Sequence, residues 1–237
     1  MATPLFIFDL DNTLYPKELP IWRMVDDRIE RYVMRELGAD RDTARRIRTH
    51  FLARFGSTLR GLMHHHGVRP ADYLEYVHDV PIAEFVPRRP DLLAMLEGLP
   101  GRSVVFTNGS KDYARRVLSA LGVAERMEEV FGIEFMEYIA KPSPFPYRKL
   151  LRVTGTRPED SLFCEDSRRN LRPARELGMF TVLVDGDGEE PPAAPEGDRP
   201  ERSFRPHAVV RDVCELPGVL QGFPPLSRGN GGDGRGA

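Results

Sequence analysis

Four consecutive apolar residues, Leu5 to Phe8, stand immediately before two aspartates, Asp9 and Asp11. A continuous apolar run of this length is typical of a parallel strand covered on both faces. Ionised carboxylates leave water at a high free-energy cost unless a metal or another partner compensates them. The run therefore predicts a strand buried inside a parallel sheet, with a compensating group bound where that strand ends.

From about residue 88 onward, short apolar runs alternate with amphipathic segments. The apolar runs predict strands at 103–106, 131–135, 161–164, 180–184 and 207–210. The segments between and after them predict helices at 92–99, 111–121, 147–153, 168–177 and 213–220. Ser110 is placed to cap the helix that starts at Lys111. Strands that alternate with helices indicate right-handed crossovers and a parallel α/β sheet, which the strand at residue 5 would join.

Residues 15–87 have a different pattern. Apolar residues recur at helical spacing over 21–38 and again over 42–55, and no strand pattern interrupts them. We therefore predict an all-helical insertion, or cap domain, at 15–87, with the catalytic core formed by 1–14 and 88–221. Residues 186–203 are predicted to be a polar loop, and the Gly- and Pro-rich residues 222–237 a disordered tail.

Composition limits the classes of partner. The net charge of −2 gives no general attraction to nucleic acid polymers or anionic membranes, and no apolar segment approaches the length of a membrane span. The N-terminal run lacks the features of a signal peptide, and the two cysteines do not indicate a disulfide framework. We expect a cytoplasmic protein with a small-molecule substrate, either a monomer or a homodimer.

Polar residues cluster after several of the predicted strands, where ligands bind in open α/β sheets. Besides the two aspartates, these residues are Thr107, Asn108, Lys141, Glu165 and Asp166. Four acids, a lysine and a hydroxyl suit phosphoryl transfer, because that reaction depends on positioning and on neutralising the charge of phosphoryl oxygens.

Each of these residues has a predicted role. Asp9 could attack phosphorus and form an aspartyl phosphate, and Asp11 could protonate the leaving oxygen and then deprotonate water. Asp9, the Asp11 carbonyl and Asp166 would hold Mg²⁺. The remaining groups, which would hold the phosphoryl oxygens, are Thr107, the Asn108 amide and the Lys141 ammonium.

Four segments together resemble the four motifs of the haloacid dehalogenase-like hydrolases: Asp9-Leu10-Asp11-Asn12-Thr13, Thr107-Asn108, Lys141-Pro142, and Glu165-Asp166-Ser167-Arg168-Arg169-Asn170. The resemblance covers about residues 4–220. It implies a Rossmann-like core, a helical cap, a nucleophile at Asp9 and an acid/base at Asp11. The fourth motif departs from the family pattern, because Asn170 stands where an aspartate is common. Glu165 and Asn170 are therefore expected in the second shell of the metal.

A finer resemblance, to pyrimidine 5'-nucleotidases, is carried by Leu14-Tyr15-Pro16, Gly56-Ser57-Thr58-Leu59-Arg60-Gly61-Leu62 and Cys164-Glu165-Asp166-Ser167. It implies a nucleoside 5'-monophosphate as substrate. Arg60 would either bind that substrate or face water. The aromatic rings of Trp22 and Tyr15 would either stack on a base or pack near the cap hinge.

Other functions remain open at this level. A phosphatase or phosphomutase acting on sugar phosphates, or on other small phosphometabolites, would use the same acids. A haloalkanoic acid dehalogenase would use the aspartate nucleophile without a metal, which Asp11 and Asp166 argue against. A non-enzymatic binding module on an enzyme scaffold would bind nucleotide without turnover.

Overall fold

The computed structural model describes residues 3–185 and 204–227. Its strands are β1 (Leu5–Phe8), β2 (Arg102–Phe106), β3 (Glu129–Phe131), β4 (Ser161–Glu165), β5 (Phe180–Val184) and β6 (Ala208–Val210). Its α-helices are α1 (Ile21–Leu37), α2 (Arg41–Phe55), α3 (Thr58–His66), α4 (Pro70–His78), α5 (Ile82–Phe85), α6 (Pro90–Glu97), α7 (Lys111–Leu121), α8 (Pro144–Thr154), α9 (Arg168–Glu176) and α10 (Pro224–Ser227). The predicted loop at 186–203 and residues 228–237 of the predicted tail lie outside the described residues.

The strands of the described residues form one parallel sheet in the order β3-β2-β1-β4-β5-β6. β1 lies near the centre, where Phe8 is paired with Val105 of β2 on one side and with Cys164 of β4 on the other. The chain builds outward from β1 in one direction through β2 and β3, then crosses over and builds in the other direction. The predicted Rossmann-like α/β core is therefore confirmed, and its strand order reverses beside β1, where such sheets bind ligands.

β1 is buried on both faces, which explains its continuous apolar sequence. Phe6 and Phe8 pack into the hydrophobic cluster on one side of the sheet, and Leu5 and Ile7 pack into the cluster on the other side. All four side chains are inaccessible to solvent. Asp9 follows directly, and its N–H donates to the Cys164 carbonyl at 2.9 Å, so this backbone continues along β4. The aspartate therefore begins where the hydrophobic layers end.

The segment between β1 and β2 is helical, as its periodicity predicts, and consists of α1 to α5 followed by α6. Asp40 caps α2 by accepting a hydrogen bond from the Thr43 N–H at 2.8 Å. At Gly61 of α3, an added Cβ would lie 2.2 Å from Cγ of Phe51, so α2 and α3 approach closely only because this residue is glycine. The limits 15 and 87 of a separate cap domain remain a prediction. None of the helices in the described ranges has both the length and the apolarity to cross a bilayer.

The predicted strand at 131–135 is placed wrongly, because β3 spans Glu129–Phe131. The chain turns off the sheet at Gly132, where an added Cβ would lie 2.5 Å from the Lys111 backbone nitrogen. The next residue, Ile133, then donates its N–H to the Gly109 carbonyl at 2.9 Å. The apolar residues after Gly132 therefore pack in a turn next to β2 instead of extending the strand.

Two predictions near the C-terminal end of the chain also need correction. The segment predicted as a helix at 213–220 is a 3-10 helix, Val213–Gly222, with Pro217 inside it. The predicted disordered tail starts too early, because Phe223 is fully buried and packs against Phe6 with ring centroids 6.0 Å apart. Phe223 thus belongs to the packed core, and α10 follows it directly. A single aromatic residue anchors a stretch whose composition otherwise resembles a tail.

Candidate active site

Lys141 lies at the centre of a buried polar cluster at the carboxyl ends of the strands. Its Nζ donates to Asp9 Oδ1 at 2.7 Å, to Glu165 Oε2 at 2.7 Å and to the Phe106 carbonyl at 2.8 Å. Only 2% of the residue is exposed. Because an ammonium group has three hydrogens, the protein itself uses all of them. The predicted contact between Lys141 and phosphoryl oxygens would therefore require one of these bonds to be shared or exchanged.

Asn108 positions Lys141 through the backbone. The Lys141 N–H donates to Asn108 Oδ1 at 2.9 Å, and Asn108 Nδ2 donates to the Lys141 carbonyl at 3.2 Å. This pair of bonds joins the end of β2 to the segment before α8. Among the described residues, the Asn108 N–H has no hydrogen-bond acceptor. That free donor is the group that sequence reasoning assigned to a phosphoryl oxygen.

Three carboxylates share the space next to Lys141. One oxygen from each of Asp9, Glu165 and Asp166 lies within 4.8 Å of the others. Asn12 Nδ2 donates to Asp166 Oδ2 at 3.3 Å. When all three acids are ionised, their charge and that of Lys141 leave a net charge of about −2. Glu165, which sequence reasoning placed in a second shell, is therefore inside the carboxylate cluster.

The pKa values of the cluster reflect both its burial and this excess of negative charge. Burial and the neighbouring Glu165 raise the pKa of Asp9 to about 7. Burial also raises the pKa of Glu165 to about 7 and raises the pKa of Asp166. The pKa of Lys141 is lowered by burial, but the charges of Asp9 and Glu165 outweigh this effect and raise it to about 12. Lys141 thus stays protonated, but its single charge does not cancel the rise that burial and mutual repulsion cause in the pKa values of the three acids.

The donor set fits Mg²⁺. All three side chains offer carboxylate oxygens, which are the ligands this hard cation prefers, and a divalent ion would balance the net charge of the cluster. Of the predicted ligands, Asp9 and Asp166 contribute carboxylates to the cluster. The Asp11 carboxylate does not, so Asp11 could act there only through its backbone carbonyl, as predicted.

The Asp11 carboxylate has a separate environment. Its Oδ1 accepts hydrogen bonds from Tyr15 OH at 2.5 Å and from Tyr113 OH at 2.7 Å. Burial and the charge of Asp9 raise the pKa of Asp11 to about 6, although the two tyrosine bonds act in the opposite direction. Tyr15 itself is fully buried. It packs beside Asp11 and is not available to stack on a base, which decides between the two interpretations of this residue.

The remaining predicted residues lie at different distances from the acids. Thr107 is buried at the end of β2, where its Oγ1 accepts from the Gly109 N–H at 3.0 Å. Asn170 is in the first turn of α9, and its carbonyl accepts from Tyr147 OH at 2.6 Å. Arg60 is exposed on α3. Within the described residues, no hydrogen bond or ion pair links the side chain of Arg60 or Asn170 to the carboxylate cluster.

Sequence reasoning missed Tyr113 and His78. The rings of these residues stack, with centroids 4.4 Å apart and an interplanar angle of 14°. The cap at Ser110 was predicted and is confirmed, since Ser110 Oγ accepts from the Tyr113 N–H at 3.2 Å. The helical periodicity of α7 could show that Tyr113 is buried. It could not show that the hydroxyl meets Asp11, which is 102 positions away.

Two relatives of known name are similar in sequence. Phosphate metabolism protein 8 of Saccharomyces cerevisiae is 23% identical over 237 residues, covering 92% of this chain and 73% of that protein. Phosphoglycolate phosphatase of Rhodospirillum rubrum is 32% identical over 139 residues, covering 57% of this chain and 53% of that enzyme. The match to the phosphoglycolate phosphatase therefore spans only about half of each protein.

Two solved structures share the fold. A HAD phosphatase from Thermococcus onnurineus has a TM-score of 0.60 and 21% identity, and covers 92% of this chain and 98% of its own. A 2-haloacid dehalogenase from Pseudomonas syringae pv. tomato has a TM-score of 0.59 and 22% identity, covering 94% and 100%. Because both identities are low, these structures establish the architecture and not the reaction. The family model for haloacid dehalogenase-like hydrolases matches residues 3–178, well over half of the chain, and the protein belongs to this family.

Proposed function

We propose that the protein is a Mg²⁺-dependent phosphomonoester hydrolase that works through an aspartyl phosphate on Asp9. The observation that carries this proposal is the cluster of Asp9, Glu165 and Asp166 beside one lysine, with a net charge that a divalent cation would balance. A dehalogenase of this family would not need such a cluster. The names of the yeast and Rhodospirillum relatives agree with phosphate ester chemistry.

The proposed reaction has two balanced steps. In the first, an oxygen of Asp9 attacks phosphorus, the bond from phosphorus to the leaving oxygen breaks, and the Asp11 carboxyl gives that oxygen its proton. In the second, Asp11 takes a proton from water, the water oxygen attacks phosphorus, and phosphate leaves Asp9. Bound Mg²⁺ would reduce the repulsion between the phosphate and the carboxylates.

The chain's own residues support this division of work. Lys141 holds Asp9 Oδ1 at 2.7 Å, and in doing so restricts the orientation of the attacking carboxylate. The free Asn108 N–H faces no protein acceptor in the described residues and is proposed to bind a phosphoryl oxygen, together with Thr107. Asp11 stays partly exposed, as a group that exchanges protons with substrate and water must be.

For the substrate we propose a nucleoside 5'-monophosphate, with a pyrimidine base preferred. The support is the resemblance of 14–16, 56–62 and 164–167 to pyrimidine 5'-nucleotidases, of which 56–62 includes the start of α3 and Arg60. Arg60 is exposed and has no described ion-pair partner, so its charge is available to a substrate that binds against the helical segment.

Phosphate release from a panel of about twenty phosphomonoesters in Mg²⁺ tests the proposal. We expect Asp9→Asn to lower kcat by roughly a thousandfold or more, since it removes the nucleophile. The matched control is Asp72→Asn, on the exposed side of α4, which should retain full activity. An Asp9→Asn protein with full activity would exclude the mechanism. Release of halide from a 2-haloalkanoic acid that survives EDTA would favour dehalogenation, and isomerisation of a hexose phosphate would identify a mutase.

A further inference from the structure

We propose that Tyr15 and Tyr113 are positioning residues that hold the Asp11 carboxyl for proton transfer, and that His78 fixes Tyr113 from the helical segment. This inference rests on the proposed function, because it concerns the step in which Asp11 protonates the leaving oxygen. It adds three side chains to the groups that determine the rate. None of the three lies within the four family motifs, although Tyr15 comes two residues after the first motif.

The two tyrosines reach the same atom from different parts of the chain. Tyr15 follows β1 and Tyr113 lies on α7, yet both hydroxyls donate to Asp11 Oδ1. Each hydroxyl has one hydrogen, and both hydrogens are used on this oxygen. The hydroxyl oxygens are 3.4 Å apart, so the pair forms a fork around Oδ1. Among the described residues, Asp11 Oδ2 has no hydrogen-bond partner. One carboxyl oxygen is thus fixed and the other is left for the reaction.

The fork itself cannot move easily. Both tyrosine rings have no exposed surface, and both belong to the hydrophobic cluster that contains Phe6 and Phe8. A buried tyrosine hydroxyl needs a partner, and a backbone carbonyl usually serves. Here, two such hydroxyls converge on a carboxyl that is itself partly exposed. Packing alone would be satisfied by phenylalanine at either position, so the hydroxyls are better explained by what they hold.

His78 secures Tyr113 from the other side. It is the last residue of α4, and its ring stacks on the Tyr113 ring. Its Nδ1 lies 3.1 Å from Ser110 Oγ, the same atom that accepts the Tyr113 N–H. Arg116 of α7 donates to the His78 carbonyl at 2.6 Å. The helical segment therefore contacts the Asp11 fork directly, and its position bears on the orientation of Tyr113.

Loss of the hydrogen bonds to Asp11 should slow the hydrolysis of alkyl phosphates more than the hydrolysis of aryl phosphates. An alkyl phosphate, such as a nucleoside 5'-monophosphate, expels a strongly basic oxygen and needs the proton as the bond to phosphorus breaks. p-Nitrophenyl phosphate expels a weakly basic phenolate that leaves without a proton. Loss of the fork should therefore lower kcat/KM for the alkyl ester and leave the aryl ester nearly unchanged. A general loss of structure would lower both equally.

The experiment measures kcat/KM of Tyr15→Phe, Tyr113→Phe and the double variant on the best alkyl ester of the panel and on p-nitrophenyl phosphate, in Mg²⁺. We expect a loss of about 10- to 100-fold on the alkyl ester, within the range of general acid catalysis, and less than about 3-fold on the aryl ester. His78→Gln should show the same selectivity to a smaller extent. The control is Tyr73→Phe, a buried tyrosine of the helical segment, which should show no selectivity.

A second comparison separates positioning from stability. In an Asp11→Asn background the alkyl ester is already slow, and Tyr113→Phe should then cost nothing further, because there is no acid left to position. Equal losses on both esters, or additive losses in the Asp11→Asn background, would overturn the inference while leaving the proposed function intact. A wild-type protein that releases phosphate from neither ester would instead overturn the proposed function, and this inference with it.

Discussion

Replacing Lys141 by methionine tests whether the cluster is held together by charge. Methionine has a similar length and no charge, so the change removes the ammonium with little loss of volume. Three groups lose a partner, namely the carboxylates of Asp9 and Glu165 and the carbonyl of Phe106. Lys141 and the three residues that it contacts are all buried, so water cannot readily replace the lost hydrogen bonds.

The expected loss of stability follows from the distances. At an effective dielectric constant of about 20, unit charges 2.7 Å apart attract each other by about 6 kcal/mol, and two such pairs are present. Desolvation of the ions offsets several kcal/mol for each, and after the substitution Asp9 and Glu165 can take up protons instead of remaining charged. Loss of one partner from a buried pair typically costs ~3–5 kcal/mol, and we expect this amount. For a chain of this size it lowers Tm by about 6 to 20 °C.

The assay is thermal and guanidinium unfolding at pH 8 in EDTA, with Lys111→Met as the matched control. Lys111 Nζ lies 2.7 Å from Glu129 Oε1, but both side chains are more than one third exposed, so the control should lose less than about 1 kcal/mol. Mg²⁺ should then raise Tm of Lys141→Met more than that of the wild type, because no ammonium is left to offset the carboxylates and a bound cation would take its place. Equal deficits in the two variants, or a smaller Mg²⁺ response in Lys141→Met, would refute the reasoning.

Three further changes have defined outcomes. Burial lowers the pKa of His78 from 6.5 to about 4, so its contribution to stability is complete above pH 6.5 and is lost as the pH falls toward 4. Between pH 6.5 and pH 4 the wild-type protein should therefore lose up to about 3 kcal/mol more of its free energy of unfolding than His78→Gln does. Gly61→Ala should destabilise by about 1–3 kcal/mol in guanidinium unfolding, because the new Cβ would meet the Phe51 ring, whereas Gly218→Ala, which has open space, should be nearly neutral. Asp166→Asn should weaken Mg²⁺ binding in calorimetry by at least tenfold, and an unchanged affinity would exclude Asp166 as a ligand.

The sequence predicts the fold well where one local pattern decides the outcome. β1 is recognisable because both of its faces are buried, so every position must be apolar. Ser110 is recognisable as a cap because a hydroxyl stands directly before a helical pattern. The strand at 131–135 is predicted wrongly because the turn at Gly132 depends on a close approach to Lys111, which no local pattern encodes. The burial of Phe223 is missed for the same reason, since it depends on contact with the distant Phe6 and not on the residues next to it in the sequence.

The same difference between local patterns and long-range contacts decides which parts of the candidate site could be predicted. Acids and a lysine at the ends of predicted strands are expected to meet, because the carboxyl ends of parallel strands share one edge of the sheet. The bonds between Lys141 and Asp9 and between Lys141 and Glu165 agree with that expectation. The use of the Asn108 side chain to hold the Lys141 backbone could not be predicted, because it depends on the distance between two loops.

Asp9 and Asp11 are two residues apart and chemically identical, so only their surroundings can give them different proposed roles. Asp9 is paired with a buried cation and surrounded by other carboxylates, an arrangement that a divalent ion would turn into a site favouring the ionised form. Asp11 is paired with two neutral hydroxyls and keeps partial contact with solvent. Neutral donors favour the carboxylate less strongly than a cation does, so the proton can both arrive and leave near neutral pH. The proposed difference between a nucleophile at Asp9 and a proton donor at Asp11 therefore depends on Lys141 on one side and on Tyr15 and Tyr113 on the other.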